Sequence, residues 1–252
     1  MIEKTKRLRI FAGPNGSGKS TLIEAFKNNK DSRIKLGIVV NADEIEKNFI
    51  ENGFIDFSDY QLNISKNSFI GFVSTSGLIG EKYTKFEILN SFFVDENKLR
   101  TNFKLDSYIA ADVSEFIRQS LLNEGVSFSF ATVFSHPSKL EIIKKAKSLG
   151  YRIYFYFITT DNVEININRV AIRVLKKGHF VSTEKIKERY IKSLGQLFNA
   201  VKLSDRCFLF DNSSKHYELV ASIEEGRNVE MNQKGKNIPN WFYKYVIEKV
   251  AS

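Results

Sequence analysis

Residues Gly13 to Thr21 read GPNGSGKST, and no other stretch limits so strongly what the chain can fold into. Gly13, four residues, then Gly18-Lys19-Ser20 is the spacing of a phosphate-binding P-loop. Successive backbone N–H groups in such a loop converge on one concavity, which requires conformations that a Cβ resists. Gly13, Gly16 and Gly18 meet that requirement. Lys19 supplies a point charge for the β- and γ-phosphates, and Ser20 a hydroxyl for the accompanying Mg²⁺. With Asn15, Ser17 and Thr21 they form the expected nucleotide-binding set. The flanks agree. Leu8 to Ala12 is a short apolar run suited to a buried parallel strand. Leu22, Ile23, Ala25 and Phe26 give the following segment an apolar helical face, with its positive end toward the phosphates.

The rest of the chain repeats this alternation. Ile38-Val39-Val40 reads as a second strand leading into Asn41-Ala42-Asp43-Glu44 and a helix stopped at Asn52-Gly53. A helix follows from Asp106, then strands at Val126 to Phe134, Tyr151 to Thr159 and Cys207 to Phe210. Helices are expected over Ser138 to Leu149, Asn162 to Lys177 and from Ser182 to about Leu203, with an edge hairpin around Glu225-Gly226 and a terminal helix from Trp241. Strands alternating with helices predict an α/β fold of the P-loop NTPase kind, a parallel sheet with helices on both faces. The 252 residues fit one such domain. Residues 54–104 break the pattern. They are rich in phenylalanine, poorly periodic and too long for a plain loop, so they read as an inserted subdomain of short helices with a hairpin around Ser74 to Gly80. It would serve as a lid, a substrate wall or a partner surface.

Composition narrows the setting. No stretch reaches the ~18 apolar residues of a membrane span. The N-terminus shows no secretory signal, and the single cysteine, Cys207, has no mate within the chain, so cytoplasmic residence is expected. A net charge of +9 suits an anionic partner and leaves nucleic acid open as one.

In a parallel sheet the site lies at the carboxyl ends of the strands. Asp43, after the second strand, is placed to take a proton from a substrate hydroxyl or to help hold Mg²⁺, and with Glu46 it also reads as a capping box. Arg169, Arg173 and Lys176 lie opposite the apolar stripe Val163, Ile167, Val170 and Val174 on one helix. That is a solvated basic face or a source of charge for a transferring phosphoryl group. Thr132, near the end of the third strand, is a candidate substrate contact. Asn212, in Asp211-Asn212-Ser213, is a candidate for the nucleotide base or for an Asx turn. His136 and His179 lack the companions of a metal site.

Gly178-His179-Phe180-Val181, Glu184, Ile186, Arg189-Tyr190, Ser193 and Leu197 resemble the signature GGH-x-V-P-E-x-x-I-x-x-R-Y-x-x-S of zeta-toxin-like P-loop kinases. Arg169-Val170, Arg173-Val174, Asp205, Phe210-Asp211-Asn212-Ser213, GPNGSGKST and Asn41-x-Asp43-Glu44 also look like that family's motifs. The resemblance covers residues 8–53 and 106–213. It implies a nucleoside-monophosphate-kinase-like fold and transfer of a γ-phosphate from ATP or GTP to a small-molecule hydroxyl, a UDP-N-acetylamino sugar in zeta toxins. It implies Asp43 as general base, Thr132 as substrate contact, Arg169 and Arg173 as phosphate contacts, and an antitoxin protein as partner. Two positions depart from the pattern. Ala131 stands where the family carries a sugar-contacting glutamate, and Lys177 replaces the first glycine of the pair. The acceptor is therefore open, and a regulatory nucleotide-binding module or divergent NTPase stands as the alternative to a kinase. An ABC-type ATPase, which shares the loop, would also need an LSGGQ-like signature and an apolar strand ending in Asp-Glu, and the chain has neither.

Overall fold

The computed structural model describes residues 5–29, 34–76, 84–102, 107–176, 178, 180–232 and 238–251. In chain order the elements are β1 (Arg7–Ala12), α1 (Lys19–Asn28), β2 (Ile38–Val40), α2 (Ala42–Asn52), β3 (Ile55–Asp56), a 3-10 turn (Phe57–Tyr60), α3 (Lys66–Val73), α4 (Lys85–Ser91), β4 (Phe92–Asp95), β5 (Lys98–Thr101), α5 (Ser107–Asn123), β6 (Phe128–Thr132), α6 (Ser138–Ser148), β7 (Arg152–Thr159), α7 (Val163–Leu175), α8 (Thr183–Leu203), β8 (Arg206–Asp211), β9 (Glu218–Glu224) and β10 (Asn228–Met231). A last helical stretch begins at Asn240–Phe242 and passes through a π-helical Tyr243–Ile247 into Glu248–Ala251. The chain divides into two compact units, one of residues 1–37 and 129–252, the other of residues 38–128. The division is wider than the insertion expected at 54–104, because β2, α2 and α5 go with that segment.

In the first unit the strands run in the order β10-β9-β8-β7-β1-β6. β1 pairs parallel with β7, and β7 with β8, while β9 and β10 close the edge antiparallel. The register decides the faces. Ile10 opposes Phe155 and Phe155 opposes Cys207, so these buried residues share one face, where the Cys207 thiol lies against the Val201 carbonyl of α8. One residue on, Phe11, Tyr156 and Phe208 share the other face as a stacked row, with Phe26 of α1 edge-on to Phe11 and Tyr156. Helices therefore cover both faces, as the alternation of elements predicts. Each fully buried phenylalanine contributes about 2–3 kcal/mol of transfer free energy.

The second unit accounts for the aromatic run. β3, β5 and β4 form an antiparallel sheet, and Phe57, Phe69 and Phe92 pack with Phe116 of α5 into an edge-to-face cluster. Its hairpin lies at Phe92 to Thr101, where Glu96 (φ 45°) and Asn97 (φ 63°) make consecutive left-handed turn residues. Asn97 then anchors the unit, accepting from the Ile64 N–H at 2.8 Å and donating to the Leu62 carbonyl at 2.8 Å. The hairpin expected at Ser74 to Gly80 falls partly outside the described residues, and 74–76 form turns after α3.

Candidate nucleotide and phosphoryl-transfer site

β1 delivers the P-loop at its carboxyl end, and α1 begins at Lys19. The loop is held from three sides. A Cβ at Gly13 would collide with the Ile158 carbonyl of β7, one at Gly16 would stand 2.5 Å from the Asn166 carbonyl of α7, and one at Gly18 would run into the Asn212 amide. Gly16 and Gly18 have φ of 73° and 104°, the left-handed region that favours glycine. The Lys19 ammonium bridges the carbonyls of Gly13 and Pro14, both at 2.8 Å, so it lies along the inside of the loop. Ser17 is fully buried with a hydroxyl that has no hydrogen-bond partner, and the Asn15 side-chain oxygen is buried in the same state. Ser20 and Thr21 open the helix with exposed side chains.

Two asparagines pin this loop. Asn212 donates its amide to the Ser17 carbonyl at 2.8 Å, and its own N–H reaches the Thr159 carbonyl at 2.7 Å. The side chain therefore buttresses the loop, while the Asx turn belongs to its neighbour, since Asp211 accepts from the Ser213 N–H at 2.9 Å. Asn166, fully buried on the first turn of α7, donates to the Asn15 carbonyl at 2.6 Å and accepts from the Thr160 hydroxyl. Tyr190 of α8 closes the chain of contacts by donating to the Thr160 carbonyl at 2.6 Å. Burial, with the nearby Asp161 charge adding to it, pushes that phenol up to about 12, so it stays a donor. Asn166 is absent from the residues singled out above. The available signal was an asparagine at i+3 from Val163 and i−4 from Val170, interrupting the buried side of an amphipathic helix just after a strand end.

α7 carries the arginines. Val163, Ile167 and Val174 pack on a cluster of Val170, Val181 and Ile186, and Arg169 and Arg173, outside that cluster, are half-buried. Arg169 donates to the Ser214 carbonyl at 3.2 Å and keeps a buried Nη1 without a protein acceptor. A Cβ at Gly178 would stand 2.6 Å from the Arg173 Cγ, so the glycine leaves room for that side chain. Lys177 and His179 lie outside the described residues.

Trp241, nearly fully buried, closes the strand ends. Its indole N–H donates to Asp211 at 2.8 Å, and its backbone N–H to Asp161 at 3.3 Å. Thr132, at the end of β6, accepts from the Phe134 N–H at 3.2 Å. Asp43 lies in the second unit on the first turn of α2. The cap there is Asn41, whose side chain accepts from the Asp43 N–H at 3.1 Å, so the expected Asp43–Glu46 capping box is corrected to an Asn41 cap. His136 contacts the Ser138 hydroxyl in a local turn. Among the described residues no three His, Cys, Asp or Glu side chains gather to hold a metal. The exposed Ser20 hydroxyl at the start of α1 is the side chain that would hold a Mg²⁺ arriving with nucleotide.

A glycine loop after the first strand of a mostly parallel sheet flanked by helices defines the P-loop kinase-like fold. Solved structures share it. The chain superposes on a chain of the AvrRxo1-ORF1:AvrRxo1-ORF2 structure with sulphate ions, with a TM-score of 0.53 and 13% identity, covering 99% of this chain and 65% of that one. The same complex with ATP gives 0.54 and 13%, covering 99% and 64%. A structure from the PezAT chromosomal toxin–antitoxin system of Streptococcus pneumoniae gives 0.51 and 11%, covering 97% and 80%. Likeness at such identities is one of fold. No family model matches the sequence. An uncharacterized protein of Haemophilus influenzae is 30% identical over 69 residues, 27% of this chain and 49% of that one, so the match spans about half of that curated relative.

Proposed function

We propose that the chain is a phosphotransferase of zeta-toxin type, moving the γ-phosphate of ATP or GTP, with Mg²⁺, to the hydroxyl of a small molecule. The observation that carries this reading is the direct tie between the P-loop and the arginine helix, the Asn166 amide on the Asn15 carbonyl at 2.6 Å. Such a tie would keep donor phosphates and Arg169 in register, which is what stabilising charge on a transferring phosphoryl group requires. Lys19 holds the β- and γ-phosphates and Ser20 the metal. Arg169 and Arg173 meet the charge that develops, Asp43 takes the acceptor proton, and Thr132 contacts the acceptor. A UDP-amino sugar is the acceptor suggested by the motif resemblance, and Ala131 argues for a different contact to it. The toxin–antitoxin and ORF1:ORF2 complexes among the structural neighbours support a protein partner that restrains the activity, in a chain read as cytoplasmic.

The test is label transfer from [γ-³²P]ATP and Mg²⁺ into a metabolite extract by wild type, Lys19→Ala and Asp43→Ala. The expected result is a labelled metabolite made by wild type and by neither variant. Tight nucleotide binding with no transfer would instead assign the chain to the regulatory nucleotide-binding class. Growth arrest on expression, relieved by Lys19→Ala, is expected of a toxin.

A further inference from the structure

We propose a second anion site, at the end of the sheet away from the P-loop, that takes a phosphate dianion between Arg9 of β1 and Arg152 of β7. The register builds it. Arg7 pairs with Arg152, Arg9 with Tyr154, and Tyr154 with Arg206, so alternate residues at the amino ends of three parallel strands place four arginines and a tyrosine on one sheet face. The P-loop leaves the opposite, carboxyl end of β1. Nothing in phosphoryl transfer at the loop uses these residues.

Arg9 is the unusual member. It is 7% exposed, and its Nε is buried without a hydrogen-bond partner. Its guanidinium stands 5.2 Å from the centre of the Tyr154 ring, and its charge acts on the nearby Tyr156 phenol. Arg152, exposed, stands 5.7 Å from the centre of the same ring. Arg206 completes the row, but its charge is taken by Glu224. Among the described residues no carboxylate pairs with Arg9 or Arg152. Burial pushes the Tyr156 phenol up to about 12, so it offers no negative charge. Two cations therefore converge on one ring, one of them desolvated, with no carboxylate among the described residues paired to either.

A cation–π contact returns only part of the cost of burying a guanidinium, and the like charges repel. An oxyanion between them removes both penalties. Phosphate fits better than carboxylate. Each guanidinium is a planar fork of donors, and a tetrahedral dianion can accept from two forks at once. The ligand is free phosphate or the phosphoryl group of a small molecule, and the exposed Arg152 side gives it a way in.

The experiment is calorimetric titration of the full chain with inorganic phosphate, then with glycerol 3-phosphate, in a Lys19→Ala background that weakens the P-loop. One phosphate per chain is expected, bound at least tenfold more weakly after Arg152→Gln and less than tenfold more weakly after Arg152→Lys, which keeps the charge. Arg152 is exposed, so this pair is readable even if Arg9→Gln fails to fold. If Arg9→Gln folds, it should abolish the binding. A phosphorylated small molecule as the ligand predicts that glycerol 3-phosphate binds as tightly as phosphate, and free phosphate predicts that it binds more weakly. Phosphate affinity unchanged by Arg152→Gln, or no phosphate bound at millimolar concentration, overturns the proposal.

Discussion

Replacing Asn166 by aspartate (Asn166→Asp) separates shape from hydrogen bonding at the joint between the P-loop and the arginine helix. The side chain is fully buried, and its amide donates to the Asn15 carbonyl at 2.6 Å while its oxygen accepts from Thr160. The carboxylate keeps the volume and the acceptor but loses the donor, and faces a carbonyl oxygen across a hydrogen-bond distance. A lost hydrogen bond costs about 1 kcal/mol, and the stranded carbonyl about 1–3 more. The loop can relieve part of that by moving, at the expense of the cradle that phosphates need. At 1.4 kcal/mol per tenfold, nucleotide should bind about tenfold to a hundredfold more weakly. Calorimetry with a non-hydrolysable ATP analogue and Mg²⁺ measures this, with circular dichroism to show an intact fold. A folded Asn166→Asp protein binding within about twofold of wild type would refute the role given to Asn166.

Gly178→Ala would push a Cβ against the Arg173 side chain, 2.6 Å from its Cγ, and should lower turnover while leaving nucleotide affinity near wild type, read as a split between kcat and Kd. Trp241 is the chain's one tryptophan and is bonded to Asp211, next to the Asn212 that holds the Ser17 carbonyl. Its fluorescence should therefore change on nucleotide binding, and Trp241→Phe should remove the signal. Tyr60, Tyr156 and Tyr190 are each pushed up to about 12 by burial. The unfolded chain loses their protons near pH 10 and the folded chain near 12, so their contribution to stability is complete below pH 10 and lost as pH rises from 10 to 12. Denaturant midpoints should fall steeply across that window and not between pH 7 and 9.

Local patterns explain what the sequence disclosed. The P-loop, the capped starts of α7 and α8 at Asn162 and Ser182, and the turn at Glu225-Gly226 are each set by residues within one or two turns of chain, and each appears where expected. The apolar stripe expected on α7, Val163, Ile167, Val170 and Val174, is the one that packs with Val181 and Ile186. Long-range joints were illegible. Nothing near Asn166 says that its amide meets residue 15, and nothing in Asp211 says that Trp241 will reach it. Residues 54–104 hid their order because the aromatics serve a core shared with Phe116 of α5, so no period of 2 or 3.6 shows within the segment. The Asn41 cap was missed because Asp43-x-x-Glu46 matches a capping box two residues later.

Where the γ-phosphate goes separates a kinase from an NTPase or a silent nucleotide binder. ³¹P NMR of the wild-type chain with ATP, Mg²⁺ and a metabolite extract follows every phosphorus species at once. Phosphoryl transfer predicts ADP and a new phosphate monoester appearing in equal amounts, and neither with Lys19→Ala. ATP left unchanged, or ADP appearing only with inorganic phosphate, would contradict it.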